Sequence, residues 1–170
     1  CGGTTNDARE LSAQAGYESM LSMFTACQNN VSLIVHGAGI LDSFASMSYE
    51  KFIMDMEIID MIRFYLNDLD VSANTLNFDL IKEIGPGGLY IASMDTMKKC
   101  RTHIWNPSVA LRGSLTGLTP REKFLQNIDE TKTKMLEGYR QPEIDLVVLS
   151  RMERFMKDKG VDPSSLPLNT

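Results

Sequence analysis

The sequence predicts an α/β fold in which helices dominate and strands are few. A short apolar run at residues 31–36, rich in β-branched side chains, predicts a buried strand. About six or seven other segments carry apolar residues at helical spacing and predict helices. A loop, a helix and that strand follow one another in residues 1–47, and this is the order of elements in a βα-repeat fold.

The chain opens with a loop and a helix. Residues 1–10 are rich in glycine, threonine, asparagine and aspartate, which supply backbone freedom and polar atoms. The apolar residues that follow recur at helical spacing and predict a helix over about 12–28, with Ser12 or Asp7 as its N-cap.

The predicted strand ends on His36, and three small residues follow it at 37–39. A titratable ring at a strand end, beside backbone that a ligand can approach closely, is typical of sites in α/β proteins. The alternative is a core strand whose terminal histidine is only hydrogen-bonded. Because lone histidines are usually structural, this stretch by itself favours the alternative.

Residues 48–160 are predicted to be a helical region. Ser48 is the expected N-cap of its first helix. The acidic residues Asp55, Glu57 and Asp60 are expected to form a solvated face on that helix. The predicted helices are about 48–67, 72–84, 93–103, 119–137 and 142–159, and a loose tail follows at 161–170.

Two stretches mark helix ends clearly. Thr119, Pro120 and Glu122 combine an N-cap, a proline at the first helical position and a capping-box glutamate. The run Gly85–Gly88 ends the helix before it, because glycine and proline cannot continue one. No P-loop lysine follows this run, so we expect a turn or a mobile lid there rather than a phosphate site.

Charge and cysteine content narrow the class of protein. The net charge is -5 and the pI is near 5.0, which argues against nucleic acid as the main partner. No apolar run is long enough to span a membrane. Three scattered cysteines give neither a disulfide framework nor a metal knuckle, so we expect a reducing compartment, the cytoplasm. With only His36 and His103 as histidines, no metal site is expected.

Aromatic and methionine residues leave two further possibilities open. The faces of Tyr17, Tyr49, Tyr90 and Trp105 could contribute to a cage for a quaternary ammonium, although core or surface packing is the favoured interpretation for each residue taken alone. The 11 methionines suit an irregular core, or alternatively a Met-rich surface that binds a partner protein.

Several blocks of the sequence together resemble a known family. The blocks are Gly2–Ala8, Ala13–Glu18, His36–Leu41, Ser48–Lys51 and Ile84–Gly88. In combination they are similar to the C-terminal part of the trimethylamine methyltransferase superfamily. The resemblance covers the chain to about residue 160.

The resemblance implies a fold. The family has a TIM (β/α)8 barrel of roughly three times this length, so we expect the chain to be its C-terminal portion, mostly helical with one or two parallel strands. Residues 1–47 would be the last strand–helix–strand segment with active-face loops, and 48–160 the C-terminal helical region. Such a fragment is expected to be inactive alone.

The resemblance also implies an activity. The family moves a methyl group from a methylated amine to the cobalt of a corrinoid held by a separate cognate protein. Members that act on trimethylamine carry pyrrolysine directly after the glycine at the strand exit. Thr4 aligns there, and a one-residue shift would place Thr5 there instead. An ordinary residue at this place is typical of relatives that use quaternary amines such as glycine betaine.

Site residues follow from the same resemblance. Thr4 and His36 are the expected catalytic positions, with His36 contacting either a betaine carboxylate or the incoming corrinoid. The expected substrate-binding residues are Asn6, Asp7, Gln14, Tyr17, Gly37 and Gly39. We expect a cognate corrinoid protein and a small methylated amine as partners, a homo-oligomer, and neither nucleic acid nor membrane. The alternative is a helical protein-interaction domain without enzymatic activity.

Overall fold

A computed structural model describes residues 1–115, 117–140 and 142–165. The chain is mostly helical and divides into two compact units, Cys1–Leu136 and Glu137–Thr170. Among the described residues, none of the helices combines the length and hydropathy that crossing a bilayer requires. The elements are α1 (Ala13–Gln28), β1 (Ile40–Leu41), β2 (Ser46–Met47), α2 (Tyr49–Leu66), α3 (Ala73–Leu76), α4 (Phe78–Ile84), α5 (Met94–Thr102), α6 (Pro120–Gly138) and α7 (Leu146–Asp158).

The core of the first unit forms where α1 packs against α2. Met23 of α1 meets Ile58 and Ile62 of α2 in a buried cluster. A second cluster joins Ile53 of α2 to Ile128 of α6, so α2 has apolar neighbours on two sides. Each such side chain contributes about 1.5–3 kcal/mol when it is fully buried. The packing around α2 is therefore what holds the unit together.

The helix ends confirm most of the local predictions. The Ser12 Oγ accepts the N–H of Ala15 at 3.3 Å, and Ser48 caps α2 through the N–H of Lys51. Thr119 and Glu122 form the expected reciprocal capping box at the start of α6. The helix predicted over 93–103 is confirmed, since α5 covers Met94–Thr102.

The predicted run at 31–36 is not a buried strand, although Ile34 is half-buried against the cluster of Met23, Ile58 and Ile62. Val35 forms a single parallel bridge with Gly2, through the Val35 N–H to the Cys1 carbonyl (2.9 Å). Leu33 is 72% exposed and Val35 47% exposed. These two side chains remain exposed although Val35 pairs with the backbone of Gly2. The structure contains a two-stranded antiparallel sheet, β1–β2, that the sequence did not predict.

The acidic face predicted for α2 is wrong at two of its three positions. Asp60 is exposed, as expected, but Asp55 is fully buried and Glu57 is 7% exposed. Asp55 is buried because Lys51 pairs with it one turn earlier on the helix. The Glu57 carboxylate is buried because it accepts the backbone N–H groups of residues 108–110.

Two predicted helices have different bounds. The helix expected over 72–84 is two helices, α3 and α4, because Asn77 adopts a left-handed conformation with φ of 51°. The helix expected from 142 begins at Leu146, where the Asp145 carboxylate accepts the N–H of Val147 at 2.7 Å. The tail includes a 3-10 turn at Pro163–Ser165, and residues 166–170 lie outside the described residues.

Candidate active site

Two backbone segments approach each other closely at the start of the chain. A side chain at Gly3 would place its Cβ 2.9 Å from the Cα of Gly37 and equally close to the side chain of Ile34. The Gly3 N–H donates to the Val35 carbonyl at 3.1 Å. Glycine at position 3 is therefore required for the two loops to lie side by side.

Beneath these loops lies a set of interacting polar side chains, which we call the buried network. Lys51 Nζ lies 2.5 Å from each oxygen of Asp55 and donates to Ser19 Oγ at 2.8 Å. The Asp55 Oδ2 accepts the hydroxyl of Thr4 at 2.9 Å and the N–H of Gly39 at 2.8 Å. The members are Thr4, Asn6, Ser19, Lys51 and Asp55, all at most 5% exposed.

Asn6 links the buried network to the surface. Its Nδ2 donates to Ser19 Oγ at 3.2 Å and to the Ile40 carbonyl at 3.0 Å. Its Oδ1 is buried and accepts no hydrogen bond from any described residue. One acceptor of the buried network is thus uncommitted, on a residue that also lines an open hollow.

Opposing effects act on the two charges of this network. Burial lowers the pKa of Lys51 and raises the pKa of Asp55, because each charged form loses its hydration. The hydrogen bonds and the attraction between the two groups act against both shifts. Contacts within the protein therefore hold the charged pair in place, and they offset the hydration that both groups lose on burial.

The open hollow beside the loops has a volume of about 330 Å³. Two carboxylates face it, Asp7 and Glu18, and within the described part of the chain neither forms an ion pair. The hollow is lined by Thr5, Asn6, Asp7, Glu18, Leu21, Ser22, Ser43 and Phe44.

The carboxylates of the hollow are oriented by neighbouring polar groups. Glu18 accepts the N–H of Asp7 at 2.9 Å on one oxygen and the amide of Gln14 at 2.9 Å on the other. The Ser43 hydroxyl donates to the carboxylate of Asp7. These contacts fix both negative charges without neutralising them, so the hollow can take a cation.

An aromatic ring closes one side of the hollow. The ring of Phe44 meets the ring of His36 edge to face, with centroids 5.0 Å apart. Both residues have positive φ, 73° and 56°, as do Asp42 and Ser43 at 49°. Non-glycine residues in this region are strained, and such strain concentrates at binding sites.

The sequence-predicted residues fall into three groups. Asn6 and Asp7 line the hollow, Gln14 contacts it through Glu18, and His36 adjoins it through Phe44. The buried positions are Thr4 and Gly39, while the half-buried Gly37 accepts the Thr4 hydroxyl through its carbonyl. Tyr17 is 63% exposed on α1 and does not line the hollow.

The other aromatic residues that could form a cage do not line the hollow. Trp105 packs against Phe64, with ring centroids 5.7 Å apart, and the Tyr90 hydroxyl donates to the Gly85 carbonyl. Tyr49 is 74% exposed at the start of α2. Packing therefore accounts for Trp105, and a hydrogen bond for Tyr90.

Sequence reasoning missed Lys51, Asp55, Glu18, Ser43 and Phe44. The lysine and aspartate carry one usable signal, an opposite-charge pair at a four-residue spacing in one predicted helix. Ser43 and Phe44 carry none, because they reach the hollow through an unusual backbone turn. In the described part of the chain, no three His, Cys, Asp or Glu side chains lie together as metal ligands.

Comparison with known proteins confirms the family. A family model described as "Trimethylamine methyltransferase (MTTB)" matches residues 1–162, so the chain belongs to the trimethylamine methyltransferase family. Among its relatives is a glycine betaine methyltransferase of Desulfitobacterium hafniense (strain Y51), 32% identical over 160 residues. That match covers 94% of this chain and 33% of the relative.

Two further relatives act on different amines. A proline betaine:corrinoid methyltransferase of Eubacterium limosum is 33% identical over 58% of this chain and 21% of its own length. The trimethylamine methyltransferase MttB of Desulfitobacterium hafniense (strain DSM 10664 / DCB-2) is 29% identical over 78% of this chain and 27% of its own length. The chain thus spans a third or less of the length of these relatives.

Proposed function

We propose that this chain forms part of the active face of a corrinoid-dependent methyltransferase whose substrate is a quaternary amine. The names of relatives support the substrate class, because glycine betaine, proline betaine and L-carnitine each carry a quaternary nitrogen. We further propose that the chain belongs to the C-terminal portion of a TIM barrel, in which active sites lie at the strand exits.

The observation that carries this proposal is the hollow with two unpaired carboxylates and an aromatic ring. A quaternary ammonium cannot donate hydrogen bonds, so it is recognised by negative charge and by aromatic faces. Asp7 and Glu18 supply the charge, and Phe44 supplies the ring. A hollow of about 330 Å³ has room for a small methylated amine.

The reaction needs little acid–base catalysis from the protein. The bond between the methyl carbon and nitrogen breaks, its electron pair stays on nitrogen, and a neutral tertiary amine leaves. The reduced cobalt of the partner's corrinoid supplies the electron pair for the new bond to the methyl carbon. This chain's residues hold the ammonium and orient its methyl group.

The positive nitrogen also accounts for an ordinary residue at the strand exit. A quaternary nitrogen already carries the charge that makes it a good leaving group, so no electrophile is needed there. Thr4 keeps the aligned position in this proposal, where it anchors the backbone, and Thr5 is the threonine that faces the hollow. His36 contacts the betaine carboxylate or the incoming corrinoid.

The remaining parts of the proposal concern partners. Asp7, Ser43 and Phe44 are exposed, so a second protein has access to the hollow. We propose that this protein is the cognate corrinoid carrier, that the enzyme is a cytoplasmic homo-oligomer, and that these 170 residues alone do not catalyse transfer. Gln14, Tyr17, Gly37 and Gly39 retain substrate-binding roles in the proposal.

The direct test is methyl transfer to cob(I)alamin by the full-length enzyme that carries this chain. Glycine betaine, proline betaine, L-carnitine and trimethylamine are supplied in turn, and consumption of cob(I)alamin is followed by its visible absorption. We expect turnover with at least one quaternary amine and none with trimethylamine. Absence of any spectral change with all four amines would overturn the proposal.

A second function is favoured by one observation. An apolar groove of about 210 Å³ lies between α1 and α2, lined by Met20, Phe24, Met61, Ile62 and Tyr65. A helical interaction domain would use such a methionine-rich groove to bind a partner protein. It would behave as a stable monomer in size-exclusion chromatography and bind that partner without any dependence on corrinoid.

A further inference from the structure

We propose that Lys51 and Asp55 are positioning residues, which hold the loop at 4–7 and the loop at 36–40 in the relative placement that forms the hollow. The inference rests on the proposed function for what the hollow binds. The geometry that it concerns lies entirely within this chain. Neither residue lines the hollow, and neither is assigned a part in the reaction.

The Asp55 carboxylate contacts both loops with one oxygen. Its Oδ2 accepts the Thr4 hydroxyl at 2.9 Å from the first loop and the Gly39 N–H at 2.8 Å from the second. The carboxylate is fully buried, so water cannot replace either contact. Loss of Asp55 would therefore remove the carboxylate that joins the loops and leave the direct bonds from Thr4 to the Gly37 carbonyl and from Asn6 to the Ile40 carbonyl.

Lys51 extends the same connection to α1. Its Nζ donates to Ser19 Oγ at 2.8 Å, and that hydroxyl donates to the Thr4 carbonyl at 3.2 Å. Ser19 directly follows Glu18, one of the two carboxylates of the hollow. Lys51 thus fixes α1, and with it Glu18, relative to the first loop.

Backbone hydrogen bonds connect the first loop to the segment that carries Ser43 and Phe44, which also lines the hollow. The Asn6 carbonyl accepts the N–H of Ser43 at 3.0 Å, and the Ala8 carbonyl accepts the N–H of Asp42 at 2.9 Å. Ser43 and Phe44 line the hollow together with residues of α1. The buried network therefore has contacts leading to every segment that contributes to the hollow.

The energetics favour a geometric role over a stabilising one. Removing two charges from water costs several kcal/mol per ion, and apolar residues of similar volume often replace such pairs without loss of stability. A buried pair that adds little net stability can still fix geometry, because each of its hydrogen bonds is directional. We therefore expect that replacing the pair leaves the fold intact but changes how the two loops lie relative to each other.

The test compares three variants of the 170-residue chain by amide hydrogen exchange. The double variant Lys51→Met/Asp55→Leu removes the pair without leaving a lone buried charge. Asp55→Asn keeps one acceptor oxygen for the loop contacts but leaves the Lys51 ammonium without its carboxylate, so it also lowers global stability. The matched control Asp95→Leu/Lys99→Met removes another Asp–Lys pair at i,i+4, which lies at 2.8 Å on α5 and is half-exposed.

Exchange at Gly39 and Ser43 is measured relative to Met23 in the α1 core, which corrects for global stability. We expect both ratios to rise about tenfold or more in the double variant, to rise less in Asp55→Asn, and to stay unchanged in the control. The inference would be overturned if exchange rose by the same factor at the amides of Gly39, Ser43 and Met23. It would also be overturned if neither ratio changed in either network variant. If the double variant does not fold, the same two exchange ratios measured in Asp55→Asn support or overturn the inference.

A titration of the same variants with glycine betaine, followed by NMR, separates this inference from the proposed function. Weaker binding by the network variants than by the control supports both. Absence of binding to the parent chain and to the full-length enzyme would contradict the proposed function alone. The exchange ratios would still support or overturn the positioning role in that case.

Discussion

Lys51 and Asp55 lie one turn apart on α2, and neither side chain is exposed to solvent. Their carboxylate and ammonium groups reach three other segments of the chain, at Thr4, Ser19 and Gly39. At the scale of single residues, this pair determines how the loops lie. The charges of Asp7 and Glu18 then determine what those loops can bind.

The pKa directions of the pair predict a pH dependence of stability. The raised pKa of Asp55 makes the folded state bind a proton more readily than the unfolded state, so the free energy of unfolding falls as pH rises above 3.8. The lowered pKa of Lys51 makes the unfolded state bind the proton more readily, so this free energy rises again as pH approaches 10.5.

Urea denaturation of the parent chain and of Lys51→Met/Asp55→Leu across this range measures the effect. The difference in the free energy of unfolding, parent minus variant, is expected to be lower near pH 7 than near pH 4 or pH 10.5. A difference that stays constant with pH would contradict the pKa directions.

Neutralising one carboxylate of the hollow is expected to weaken amine binding. Asp7→Asn keeps the size and the acceptor for the Ser43 hydroxyl but removes the charge. We expect the KM of the full-length enzyme for a quaternary amine to rise roughly fivefold, or about 1 kcal/mol. Asp68→Asn, an exposed carboxylate after α2, serves as control and should leave KM unchanged. Equal KM values for both variants would argue against a charged hollow.

At the scale of elements, the packing of the first unit depends on one close contact between two loops and one between a loop and a helix. Gly3 permits the contact between the two loops, while Glu57 attaches the segment after α5 to α2. Neither contact follows from helix or strand propensity. Both are made between parts of the chain that lie more than thirty residues apart.

Alanine at Gly3 is expected to destabilise the fold. Its Cβ would lie 2.9 Å from the backbone of Gly37, so one loop must shift at a cost of about 1–3 kcal/mol. Gly16→Ala is the matched control, because its Cβ meets nothing within 4 Å and alanine favours the helix by roughly 0.5–1 kcal/mol. Thermal unfolding should therefore shift in opposite directions for the two variants. A shift in the same direction would contradict the close approach of the loops.

Loss of the Glu57 charge is expected to release the segment at 108–110. Its carboxylate accepts the N–H of Ser108 and of Ala110, each at 2.7 Å. Hydrogen bonds to a charged group contribute about 1.5–3 kcal/mol, so Glu57→Gln should lower the free energy of unfolding by that order. Exchange at the Ala110 amide should rise, whereas Asp60→Asn on the exposed face of α2 should change neither quantity. An unchanged Ala110 amide in Glu57→Gln would show that the contact is not stabilising.

At the scale of the whole molecule, local signals in the sequence predicted more than distant ones. Ser12, Ser48 and Thr119 were predictable as helix caps, because a cap depends on residues two or three positions away. The burial of Glu57 was not predictable, since the N–H groups that it accepts lie up to fifty-three residues away in the chain. Asp55 has one local partner, Lys51, but its contacts with Thr4 and Gly39 are also distant in sequence. Two residues predicted from the family blocks, Asn6 and Asp7, line the hollow, whereas Glu18, Ser43 and Phe44 line it without having been predicted.

The exposed extended segment predicts self-association of the 170-residue chain. Leu33 is 72% exposed and Val35 47%, on backbone that makes only one strand bridge. Such an edge pairs readily with another copy, so we expect concentration-dependent dimers in sedimentation velocity. Leu33→Ser/Val35→Thr should weaken association several-fold, roughly 1 kcal/mol or more, whereas Leu69→Ser, at an 88% exposed position, should not. A chain that stays monomeric at all concentrations would contradict this and favour the interaction-domain alternative.

The most direct test of the central claim is a crystal structure of the full-length enzyme with glycine betaine bound. We expect the quaternary nitrogen to lie in the hollow, with the carboxylates of Asp7 and Glu18 as its nearest charges and the ring of Phe44 within about 6 Å. Glycine betaine bound at a site that includes none of these three residues would contradict the account.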